Sequence, residues 1–246
     1  MSNQRPVLAA FLLGGLILLP AAVRADIQPS FDYMPQLAQG IMLQETLRRN
    51  LMNMQHGPDR KRAPQQGAAA PAMTSYHASP EVSARVLKQY ASFAAGLTKQ
   101  PSDLVLARLQ QDNVLGEWDK GWNPDGLHEG DLLDAITSYW ITNWVIANGY
   151  GDTTKAQALG ALEQMRTMLA DNAALAKLDE AGRQEVAEIY MLNGVMQAVA
   201  YIQAHKSGDQ TQLAQLGAAA EKRFRNEAHI DLRGFVLTDQ GFIKKP

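Results

Sequence analysis

The sequence predicts an all-α protein, a helical bundle of about five to seven helices preceded by an N-terminal amphipathic helix on a flexible linker. Three observations carry this. From residue 79 onward apolar residues recur at helical spacing in one segment after another, each bounded by recognisable caps and stops. Alternation of the strand type reaches no useful length before the last sixteen residues. Between residues 56 and 79 the chain is rich in Pro, Gly, Ala and Gln, a composition that cannot build a core and therefore separates two helical parts.

Taken in order, residues 1–25 (MSNQRPVLAAFLLGGLILLPAAVRA) begin polar with Arg5, continue apolar from Val7 to Leu19, and end with Val23 and Ala25 at the small-residue positions of a cleavage site. That is the order of a secretory signal peptide, and the apolar run is too short to span a bilayer. Its removal after Ala25 leaves 221 of the 246 residues and moves the net charge from −2 to −4, because the leader carries two arginines and no acid. Residues 26–55 form an amphipathic helical extension, with Leu37, Ile41, Leu47, Leu51 and Met54 as its apolar stripe and Arg48 and Arg49 off it. Residues 56–73 are the linker, and 74–246 the main domain.

Within that domain Ser79 is read as a cap and Pro80 as the first helical position, with Val82, Val86, Tyr90 and Phe93 along one face. A weaker helix is expected over 102–116. The next, 131–148, starts at an Asp-rich turn and stops at Asn148-Gly149. A helix over 153–170 starts at an Asp152 cap and carries Leu159, Leu162, Met165 and Leu169. A helix over 180–206 ends at Ser207-Gly208, and Asp209 caps a last one reaching about Ala228. The short Ser-Gly-Asp connection makes these two an antiparallel hairpin. The tail DLRGFVLTDQGFIKKP is read as a short strand or an extended strap.

Two helices read as central. In 131–148, Leu132, Ile136, Tyr139, Trp140, Asn143 and Ala147 share one broad face while Ile141 and Val145 lie opposite, so the helix meets neighbours on several sides. In 180–206 the same holds for Ile189, Met196 and Ala200 against Leu192, Val195, Val199 and Ile202. Asn143 and Asn193 sit in these apolar stripes, where an unpaired amide costs about 1–3 kcal/mol. Both are therefore expected to be hydrogen-bonded, a bond to each other being one solution, and to act as packing-register devices.

Candidate chemistry is sparse. Asp134 and Glu188 each open an apolar stripe on a central helix. Buried unpaired acids titrate high and, as a pair, can perform acid–base work. The structural reading is that negative charge near a helix start is favourable and that Arg183 or Arg85 pairs with them. The segment from Glu117 to Asp131 is read as a loop with an Asn-Pro-Asp-Gly turn, in which Trp118, Trp122, His128 and Glu129 are candidate ligand contacts for a sugar, a cationic group or Ca²⁺. The alternative is a lid of tryptophans over the core. The calcium-loop spacing is missing.

The exclusions are firmer. No cysteine is present, which removes disulfides, thiol catalysis and thiolate metal sites together. No serine-hydrolase elbow, phosphate loop, dinucleotide fingerprint or zinc-helix motif occurs, and the five histidines are never paired at helical spacing. No metal and no cofactor is expected. The mild negative charge argues against nucleic acid. The basic run at 59–63 beside the amphipathic extension permits membrane-surface contact through residues 34–62.

The segments SYHASPEVSARVLKQYA (75–91), GLHEGDLLDAITSYWITNWVIANG (126–149) and GRQEVAEIYMLNGVM (182–196), with the ending FVLTDQGFI, resemble an exported bacterial family of unknown function. The resemblance covers about 74–246 and rests on patterned segments. It implies an exported, helical domain of a Gram-negative bacterium, periplasmic or secreted, behind a variable N-terminal extension. It transfers no activity and no catalytic residue. The expected function is a protein-binding module whose partner is another exported or envelope protein. The alternatives are an enzyme using Asp134 and Glu188 in a cleft near Trp118 and His128, and a membrane-surface protein acting through residues 34–62.

Overall fold

The computed structural model describes residues 74–170 and 172–245. The signal peptide, the amphipathic extension and the linker expected over 1–73 lie outside the described residues. Among the described residues seven α-helices are followed by one β-hairpin: α1 Pro80–Thr98, α2 Ser102–Gln111, α3 Val114–Trp122, α4 Leu132–Asn148, α5 Lys155–Leu169, α6 Glu180–Ser207, α7 Gln210–Glu227, β1 Phe235–Thr238 and β2 Gly241–Lys244. The domain is all-α as the periodicity predicts, with the tail forming an antiparallel hairpin.

Helices α4 and α6 are the centre. Every residue of α4 from Leu132 to Ala147 is buried, and α6 is buried without a break from Gly182 to Tyr201. Being apolar nearly all round, they pack against each other and against α1, α3, α5 and α7. Contacts advance in step along both: Tyr139 meets Tyr190 with ring centroids 5.2 Å apart, Asn143 Nδ2 donates to Gln197 Oε1 at 2.9 Å, and Tyr201 Oη donates to Tyr150 O at 3.2 Å. The two helices therefore run parallel. Helix α1 follows the same direction, since Ser79 N donates to Gln184 Oε1, Ser83 Oγ to Glu188, and Tyr90 Oη to Asn193 in order. Three helix N-termini thus gather at one end. The turn at Gly208 (φ +68°) and Asp209 sends α7 back along α6, so Gln197 and Arg223 both reach Asn143.

Local chemistry explains the boundaries. Asp131 caps α4 by accepting from Leu133 N, Asp179 caps α6 from Gly182 N, and Asp209 caps α7 from Gln212 N. Gly149 closes α4 in the left-handed conformation at φ +69°. Four expectations need correction. Ser79 makes no side-chain cap on α1; its backbone N–H goes instead to Gln184. Helix α5 begins at a Thr154–Gln157 capping box rather than at Asp152, because a reciprocal pair satisfies two backbone donors where a single side chain satisfies one. Leu159, assigned to the α5 stripe, is 40% exposed, and Ala158, Ala161 and Met168 share the buried face with Leu162, Met165 and Leu169. Residues 117–122, read as loop, complete α3.

The tail is sewn to the helices. In the hairpin register Val236 pairs with Ile243 and Leu237 with Phe242. Gln157 Nε2 donates to Leu237 O, while Gln164 donates to Phe242 O and accepts from Phe242 N, so two glutamines about two turns apart on α5 hold both strand edges. Between them Gly160 leaves room for the hairpin turn: a Cβ there would lie 2.2 Å from Asp239 O. Trp144 Nε1 donates to Phe235 O, and Trp140 and Trp144 both pack on the Phe242 ring.

Candidate functional site

The end where the N-termini of α1, α4 and α6 meet is covered by an extended strap, residues 74–79. Its backbone pairs with the loop before α4 through Tyr76 N to Gly130 O and Leu132 N to Thr74 O, and Arg183 Nε donates to Ser75 O. Carboxylates collect here because helix N-termini carry partial positive charge. Asp134 is 4% exposed; its Oδ2 accepts from His128 N at 2.8 Å, its Oδ1 makes no hydrogen bond, and Arg166 lies 3.9 Å away. Burial pushes this carboxyl up to about 6 and Asp131 adds to the rise, while the His128 N–H and, more weakly, the Arg166 charge act against it. Glu188, 1% exposed, accepts from Ser83 Oγ at 2.6 Å and Gln184 Nε2 at 2.7 Å, and its Oε2 makes no hydrogen bond. Burial raises its pKa too, against those two donors. Tyr76 Oη, also buried without a hydrogen bond, is held protonated by burial.

Asp134 and Glu188 share no hydrogen-bond partner, and both lie under a closed surface. Their partners differ from the arginines expected: Arg85 pairs with Glu185, and Arg183 donates to Ser75 O and Leu178 O. Both tryptophans of this segment are core side chains. Trp118 is 0% and Trp122 2% exposed, as deeply buried as Trp140 and Trp144, and Trp118 Nε1 is spent on Ser138 Oγ at 2.9 Å. Continuing α3 through Trp122 turns both indoles inward. His128 and Glu129 are exposed beside them. Among the described residues no group of three or more His, Asp or Glu is arranged to hold a metal ion.

Asn143 and Asn193 are buried and satisfied separately rather than by each other. Asn143 donates to Tyr139 O and Gln197 Oε1, and its carbonyl accepts from Arg223 Nε and Nη2 at 3.3 and 3.1 Å. Asn193 donates to Ile189 O and faces Tyr90 Oη. Asn193 is turned toward Tyr90 of α1, and Asn143 toward Gln197 of α6 and Arg223 of α7.

At the opposite end a cleft of about 540 Å³ opens between the C-terminal turns of α4 and α6, the first turns of α7, and the tail. Its floor is Ile146, Ala147, Tyr201 and Gly217; Leu213 and Ala214 form a wall, and His205, Arg233 and Lys245 stand at the rim. Arg233 Nε donates to Ala147 O at 2.9 Å, and Lys245 Nζ donates to Asn148 Oδ1 at 3.3 Å.

Compared with known protein families, residues 32–241 match the model of a family of unknown function, DUF6683. The chain belongs to DUF6683. The match takes in residues 32–55 of the segment read as an amphipathic extension, so that part belongs to the DUF6683 pattern along with the helical domain. No curated protein and no solved structure matches the chain. The cleft of this DUF6683 protein escaped the sequence reading because its residues are spread over a hundred positions, from Ile146 to Lys245, with no spacing that links them. The one available signal was the pair of lysines closing the tail.

Proposed function

We propose that this DUF6683 protein is an exported binding protein that holds a small ligand in the cleft between the ends of α4, α6 and α7. The observation that carries this reading is the cleft itself: about 540 Å³, within the size range of small-molecule sites, with an open apolar wall at Leu213 and Ala214 and a few convergent polar groups. Binding is favoured over catalysis because the two carboxylates that would do acid–base work are 4% and 1% exposed and present no open face to a substrate. Export rests on residues 1–25.

The test is a ligand screen by thermal shift on the wild type and on Ala214→Phe. Ala214 is an exposed wall residue, so a phenyl group there fills the cleft without entering the core. Compounds that raise Tm in the wild type and not in the variant support the reading; hits that persist unchanged in Ala214→Phe place binding elsewhere and remove it. The contacts proposed for residues 34–62, with an exported or envelope protein or with a membrane surface, are tested separately by affinity capture and vesicle flotation with and without residues 26–73.

A further inference from the structure

We infer that the cleft takes a small organic monocarboxylate, with the anionic head at the Arg233–Lys245 rim and an apolar body against the Leu213–Ala214 wall. The inference rests on the small-ligand reading above and names the class of ligand. The first ground is charge. The chain as a whole is net negative, yet the twelve residues lining the cleft include two permanent cations and a histidine and not one acid.

The second ground is how those cations are held. Arg233 is fixed by its Nε bond to Ala147 O, and its guanidinium stretches across to α7, where a Cβ on Gly217 would lie 3.5 Å from Nη2. Nη2 therefore stands over the floor. Just outside the cleft Glu221 lies 3.4 Å from Arg233 Nε, but its second oxygen pairs with Arg225 at 3.0 Å, and Arg225 also reaches Asp231. Those four charges balance. Lys245 adds a further charge whose hydrogen-bond partner is the neutral Asn148 amide. The rim thus presents two cations and no acid, with Arg233 fixed before any ligand arrives, which lowers the ordering cost of binding.

The third ground separates carboxylate from more highly charged anions. The cleft faces the C-terminal turns of α4 and α6, whose carbonyl ends carry partial negative charge, whereas phosphate sites favour helix N-termini. A dianion would meet repulsion there. A single carboxylate at the rim engages Arg233 and Lys245 and leaves the carbonyl-lined side to its neutral body. Leu213 and Ala214 on α7 are open to the cleft and give that body an apolar wall.

Isothermal titration of the protein as the cell processes it, with octanoate and hydrocinnamate against their uncharged amides octanamide and hydrocinnamamide, tests this. The expected result is that the acids bind and the amides bind at least tenfold more weakly, that Lys245→Gln weakens the acids by roughly tenfold with an unchanged far-UV spectrum, and that Ala214→Phe abolishes binding. Lys245 is exposed at the chain end, so its replacement leaves packing alone. Arg233→Lys, which keeps the charge but loses the planar fork, should weaken binding less than Arg233→Gln. Amides that bind as well as the acids, in a manner lost in Ala214→Phe, overturn the carboxylate class while leaving a small-ligand cleft. Acids that bind equally to wild type and Ala214→Phe overturn both. No heat with any of the four compounds at millimolar concentration overturns the carboxylate class, and the thermal-shift screen then decides the cleft alone.

Discussion

Asp134 shows how one side chain couples burial to pH. Its carboxyl titrates at about 6 in the fold against 3.8 when unperturbed, so between those values the native state binds more protons than the unfolded chain. Stability from this group is therefore lost as pH rises: the penalty is absent below about pH 4 and complete above about pH 6. A shift of this size corresponds to about 3 kcal/mol. Urea denaturation of wild type and Asp134→Asn from pH 4 to pH 8 should show the difference between them moving by roughly that amount in favour of the variant, with the change confined to pH 4–7; a difference independent of pH removes the assignment. Asn143 is the second case. Its carbonyl takes two donors from Arg223 and its amide serves Gln197, so Asn143→Leu removes contacts from a buried cation and a buried amide at once. The expected loss is about 2–4 kcal/mol, read from the chemical-denaturation midpoint, whereas a neutral result would mean that the network closes without it. Sequence periodicity placed Asn143 within an apolar stripe and Asp134 at the start of one; it could not name Arg223 as a partner, because α7 meets α4 only after the chain has doubled back at Gly208.

The C-terminal hairpin depends on α5 rather than on its own two strands, since an isolated pair of this length is marginal in water. Gln157 and Gln164 take up the backbone groups at the strand edges, and Gly160 lets the turn approach the helix. Glycine inside a helix ordinarily costs up to about 1 kcal/mol relative to alanine, so Gly160→Ala would stabilise an isolated α5. Here the added Cβ would sit 2.2 Å from Asp239 O and 2.5 Å from Asp239 C. Overpacking against backbone costs about 1–3 kcal/mol and wins, so Gly160→Ala should lower Tm. An increase in Tm would show that the hairpin is not seated as described. The same element explains one misreading. Trp118 and Trp122 stood in a stretch with turn chemistry and acids, which reads as loop; α3 is nonetheless helical there because packing of both indoles against α4 and α6 outweighs local preference.

All four tryptophans belong to one continuous core with the aromatic residues of α1, α6, α7 and the hairpin. One core implies one cooperative unit. Unfolding followed by tryptophan fluorescence and by far-UV circular dichroism should give coincident transitions, and separated midpoints would require the α1–α2 pair or the hairpin to unfold independently. On the same scale, the parallel run of α1, α4 and α6 gathers helix N-termini with carboxylates at one end and the C-termini of α4 and α6 with cations at the other, an arrangement that offsets the helix dipoles.

The sequence by itself determined the helical class, the bounds of the central helices, the burial of Asn143 and Asn193, and membership in DUF6683, because each of these depends on spacing within a few turns of one segment or on a pattern running along the chain. Only the tertiary structure decided that Trp118 and Trp122 are core, that Asp134 and Glu188 have separate partners, and that Arg233 and Lys245 meet Tyr201 across an acid-free cleft. Those outcomes depend on which helix ends the fold brings together, and parallel packing of helices far apart in sequence leaves no local signature.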